Sequence, residues 1–144
     1  MQLARLILLV VAALFAAAGT GKALQQQKAN LDGVWSVAEL TEAGTRAPDA
    51  KAQSLRIEFK GDAITITLKD KLAIKGTVTV DSKSTPSTMD IRYEKDGKTI
   101  TIPAVYELTG DDLKLCHPSA EGGARPSAIE ATAKTVLMTL KRQK

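Results

Sequence analysis

At 144 residues the chain has the length of one domain with a single core. Its 44% hydrophobic and 25% charged content is an ordinary globular mixture, which excludes wholesale disorder and a bundle of membrane helices. The formal charge is +4, and the aromatic residues (Phe15, Trp35, Phe59, Tyr93 and Tyr106) are too few for a stacking platform for bases or sugar rings.

Residues 1–5 carry one positive charge, residues 6–18 are an unbroken apolar run, and small residues follow through Thr20 and Gly21. That order predicts a secretory signal peptide over residues 1–23, helical before removal, with a cut after Ala18 or Ala23, and a linker over 24–30. As a helix the apolar run rises about 20 Å, short of the roughly 30 Å hydrocarbon core, so a cleaved signal is favoured over an anchor. Export to the periplasm or beyond is the expectation. Loss of Arg5 and Lys22 lowers the formal charge to about +2. The remaining lysines, such as Lys69, Lys71, Lys75 and Lys114, alternate with apolar residues, so no patch for nucleic acid is expected.

From residue 31 the pattern takes period two, and no stretch keeps helical spacing for three turns. Strands are predicted at residues 34–40, 55–59, 63–68, 73–80, 89–93, 99–108, 112–115 and 135–142. Gly61-Asp62, Lys69-Asp70-Lys71, Asp96-Gly97 and Gly110-Asp111 are hairpin turn signals between them. Eight antiparallel strands in sequence leave two edges unless first meets last. An eight-stranded antiparallel up-and-down barrel over residues 31–144 is therefore expected, with a two-sheet β-sandwich as the alternative. Gly76, on the apolar face between Ile74 and Val78, marks a bend or a weak spot. Pro103 cannot donate to a ladder and marks an edge, a bulge or a strand start, which leaves full closure undecided. The polar connections 81–88 and 118–126 are the expected rims of a mouth.

Leu31-Asp32-Gly33-Val34-Trp35 resembles the Gly-x-Trp opening of the first strand in lipocalin-like barrels. The ordered string of that motif with Phe59-Lys60-Gly61-Asp62, Tyr106-Glu107-Leu108, Asp111 through Leu113 and Leu115 to Cys116, and Arg125-Pro126 resembles a family of small exported domains. Many of its members come from planctomycetes, and their function is uncharacterised. The resemblance implies a lipocalin-like barrel of unassigned activity. It also implies that Gly33 and Trp35 are structural, and that an Arg ending the last strand lies across the indole. Arg142 fits that place, since it shares parity with Val136, Met138 and Leu140. In the family pattern Arg125 is the most specific polar residue outside the core. It either holds its loop by bonding carbonyls or faces an anionic ligand.

Chemistry-bearing residues are sparse. His117 is the only histidine, so Ser-His-Asp and multi-histidine metal sites lack parts. Its neighbour Cys116 points to the other face of a strand and is read as a small buried structural residue. Asp111 and Asp112 follow Gly110, where Asp serves turn geometry rather than acid–base catalysis. Glu39 and Glu42 have no predictable acidic partner. Tyr93 and Tyr106 fall on inward parity, with hydroxyls for a cavity or rings to fill one. The expected inward set (Ile64, Ile66, Ile74, Val78, Met89, Ile91, Ile100, Ile102, Leu113 and Leu115) is aliphatic.

No catalytic residues, metal or cofactor are expected. The chain reads as a non-enzymatic binding module for a small apolar ligand, with Tyr93, Tyr106 and Arg125 as ligand-binding candidates. The alternative is a structural or protein-interaction domain of the cell envelope, acting through loops or a strand edge near Pro103. Membrane contact is expected only through the signal peptide before cleavage.

Overall fold

A computed structural model describes residues 31–144; the expected signal peptide and linker lie outside the described residues. In chain order come β1 (Gly33–Glu42), β2 (Thr45–Arg46), α1 (Asp49–Gln53), β3 (Leu55–Lys60), β4 (Ala63–Leu68) and β5 (Lys71–Asp81). They are followed by β6 (Ser87–Lys95), β7 (Lys98–Thr109), β8 (Asp112–Pro118) and β9 (Thr135–Arg142). Each long strand pairs antiparallel with its sequence neighbour, and β1 also pairs with β9 from Trp35↔Arg142 to Glu42↔Val136. Eight strands therefore close into a barrel. The ninth, β2, only folds back on the end of β1. Among the described residues no helix is long and apolar enough to cross a membrane.

Two-residue turns set the register of four hairpins, at 61–62, 69–70, 96–97 and 110–111, where the sequence carries its Gly and Asp signals. Lys69 and Asp70 both have positive φ, as do Asp96 and Gly97, as a type I′ turn requires. Period two then delivers one face inward: Ile57 and Phe59, Ile64, Val78 and Val80, Met89 and Ile91, Ala104 and Tyr106, Leu113 and Leu115 all join one buried cluster. In β1 the phase changes. A bulge at Ala38, between the pairs Val37↔Leu140 and Glu39↔Thr139, lets Trp35, Val37 and Leu40 all face the core. The helix α1 was not anticipated; it has too few residues for a periodic signal. It adds Ala52 to the core cluster, and Ala47 just before it joins as well.

β7 holds the wall together by changing partners. It pairs with β6 from Lys98 to Tyr106 and with β8 only from Val105 to Thr109. The Asp96-Gly97 turn makes Lys95↔Lys98 a hydrogen-bonded pair, so the even-numbered residues of β7 bond β6 and the odd-numbered ones face β8. Pro103 is odd-numbered and lies where β8 has not yet joined. Its missing N–H costs no ladder bond, and of the three expectations for Pro103 it is an edge that forms there. The barrel nevertheless closes through β1 and β9.

The start of the connection 119–134, through Gly122, borders the gap that opens between β7 and β8. The rest runs along the outer wall as a strap, held there by Ser119 N–H donating to Lys134 O (2.9 Å), Cys116 Sγ to Glu130 O (3.5 Å) and Thr135 Oγ1 to Glu130 O (2.8 Å). This strap explains why Val105 and Cys116, a ladder pair on the outer face, are buried without belonging to the inner cluster.

Candidate functional site

At one end of the barrel the core is filled and clamped. Trp35, Ile64, Met89, Ala104, Leu113 and Leu140 have no accessible surface, so no water-sized void adjoins them. The Trp35 indole donates to Leu31 O at 2.8 Å. The Arg142 guanidinium lies 4.3 Å from the Trp35 ring centroid. Its Nε donates to Asp111 (3.0 Å) and its Nη1 to Asp32 O. Gly33, at φ +132°, gives the guanidinium room, since a Cβ there would stand 3.1 Å from Arg142 Nη1.

Open space lies beside β7, on both sides of its partner switch. Where β6 has not yet begun, a groove of about 550 Å³ runs between the 82–87 connection and the strap. Pro86, Leu108 and Ile129 give it apolar walls, the buried Tyr106 lies beneath, and four serines, Thr85 and Glu107 form its polar lining. Where β8 has diverged, a hollow of about 160 Å³ separates Ile100 and Ile102 from the segment 117–122, with Tyr93 and His117 in its lining. That is close to the roughly 150 Å³ that holds a benzene-sized molecule.

The candidate residues are not gathered into one site. Tyr93 is half-buried by the small hollow and Tyr106 is buried under the groove. Arg125 lines neither. It staples the strap to the wall, with Nη1 on Ala104 O at 2.8 Å and Nη2 on Asp90 at 2.5 Å, and so bonds a carbonyl and a carboxylate of the chain itself. Cys116 lies under the strap. His117 shares parity with the inward Leu113 and Leu115 and has Nδ1 2.8 Å from Pro118 O, so the two neighbours face opposite sides. Burial lowers the His117 pKa below its ordinary 6.5, against the raising pull of the Pro118 carbonyl and of Glu42.

The carboxylates are committed to surface pairs: Glu39 to Arg46 (3.6 Å), Glu42 to Lys51 (2.7 Å), Asp112 to Lys141. Among the described residues no three His, Cys, Asp or Glu side chains come together as a metal site. Sequence reasoning missed the groove residues Pro86, Ser127 and Ile129. Their only signal was the length of the two connections, which showed neither where the strap runs nor what it meets. No family model, curated protein or solved structure matches the chain.

Proposed function

We propose that the chain is an exported, non-enzymatic binding module whose ligand sits in the groove beside Tyr106. One observation carries this: the closed end of the barrel is packed solid, while a groove of about 550 Å³ lies outside it, within the range of roughly 300–1,000 Å³ usual for small-molecule sites. Its apolar walls suit a small, largely apolar molecule, and the four serines along it suit one polar edge on that molecule. Export rests on the N-terminal charge, apolar run and small residues.

The neutral apolar fluorophore N-phenyl-1-naphthylamine tests the site. The parent chain should bind it, and Ile129→Trp, which fills the groove, should weaken binding at least about tenfold with the melting temperature kept. Equal binding by both chains, or none by the parent, refutes the assignment.

The open β7 edge supports a second reading, a protein-interaction domain. By the ladder parity, Thr99 and Thr101 direct their N–H groups to the side where β8 has not joined, the pattern that accepts an added strand. Hydrogen exchange at those two amides should slow in the presence of an exported-protein fraction; unchanged exchange refutes it.

A further inference from the structure

The end of the barrel opposite Arg142 carries two hairpin arms that outrun their neighbours. β5 pairs with β6 only from Gly76↔Tyr93 onward, so residues 71–75 are held by β4 alone. The register slips by one residue between Ile66↔Ile74 and Thr67↔Leu72, which sets Leu72 on the outer face with Thr67. Leu72 is 63% exposed and Leu68 40%, the exposed large hydrophobics of the described residues, and both sit on this β4–β5 arm.

Cations surround them. Lys69, Lys71 and Lys75 belong to the same arm, and Arg92, Lys95 and Lys98 to the β6–β7 arm beside it. A cleft lined by Lys75, Arg92, Glu94 and Thr99 separates the two arms. All six cations are exposed, and none is in an ion pair among the described residues. Only Asp70, Glu94 and Asp96 oppose them on the arms, an excess of three positive charges.

We propose that this end docks on an anionic lipid bilayer, with Leu72 entering the headgroup boundary and the lysines meeting lipid phosphates. The charge complementarity is direct. A bilayer also offers negative charge and apolar depth in the order the arm presents cation and leucine. An acidic protein surface would match the charge but give Leu72 no oily layer. Each lysine near such a surface is worth about a fivefold gain in binding.

Sedimentation of the full chain with phosphatidylcholine vesicles, with and without phosphatidylglycerol, tests the proposal. Because the apolar run at residues 6–18 is common to every variant, the readout is the gain caused by phosphatidylglycerol. Reversing Lys69, Lys71 and Lys75 to Glu should cut that gain at least about tenfold. Reversing Lys60, Lys83 and Lys114, which changes the net charge equally but elsewhere, should leave most of it. Leu72→Ser should weaken binding without changing its salt dependence. No gain in the parent chain, equal loss in both reversed variants, or indifference to Leu72→Ser overturns the proposal; Trp35 emission checks that each variant is folded.

Discussion

Replacing Gly76 with Ala should destabilise the barrel, although the same change in an accommodating strand stabilises by about 0.4–1 kcal/mol through the unfolded chain. A Cβ at Gly76 would stand 2.0 Å from Arg92 O, 3.0 Å from Arg92 C and 3.1 Å from Tyr93 Cβ. The first two are backbone atoms of β6 and have no rotamer to escape into. The strands must part at Gly76↔Tyr93, the first rung of the β5–β6 ladder. Two weakened ladder bonds cost about 0.5–1.5 kcal/mol each and the crowding about 1–3 kcal/mol. Set against the entropic gain, the net loss is about 1–5.5 kcal/mol, a fall in Tm of roughly 4–22 °C for a domain of this size. Urea denaturation followed by the emission of Trp35, the only tryptophan, measures it directly. An unchanged or higher midpoint would refute the close-approach account and restore Gly76 as a plain weak spot.

Arg142→Gln should cost about 1.5–3 kcal/mol and change the Trp35 emission, because it removes the stacked cation and its bond to Asp111; Arg142→Lys should not restore it. His117 gives a pH dependence of known sign. With its folded pKa lowered, the native state binds fewer protons than the unfolded one, so stability is full above pH 6.5 and declines as pH falls through 6.5 toward the folded value. The slope is at most about 1.4 kcal/mol per pH unit, and His117→Gln should flatten it in denaturation series across that range. Native Cys116 should react slowly with a thiol reagent. Arg125→Ala, which frees the strap from Asp90 and Ala104, should speed the reaction about fivefold, and rapid labelling of the parent would contradict its burial.

What the residues disclosed in advance was the part of the fold that is local. Ile64, Ile66 and Leu68 alternate with Thr65 and Thr67 because a pleated strand has two faces, and Asp96-Gly97 closes a hairpin because its φ values demand it. Eight strands linked by such turns leave closure as the way to remove both edges. The bulge at Ala38 escaped notice because its existence depends on the pairing with β9, a hundred residues away. The strap escaped for the same reason, yet it had left a trace: Val105 and Cys116 are apolar on the face that alternation assigns to solvent, which is the mark of a covered outer wall. Parity showed that Tyr106 faces inward but not that the 82–87 connection and Ile129 meet beside it.

The groove and the cationic arms share no residue and lie at opposite ends of the barrel, joined through β5, β6 and β7. Gly76 stands at the root of the β4–β5 arm, and its rung with Tyr93 is the last that ties the arm to β6. A variant that loosens this rung therefore disturbs how Leu72 and the lysines are presented. The groove is left intact, because Ser87↔Tyr106 and the strap hold it from the other side. Gly76→Ala should accordingly weaken the phosphatidylglycerol-dependent gain more than it weakens fluorophore binding, and Ile129→Trp should do the reverse. Equal effects of each variant on both assays would mean that the two ends of the barrel are one coupled surface.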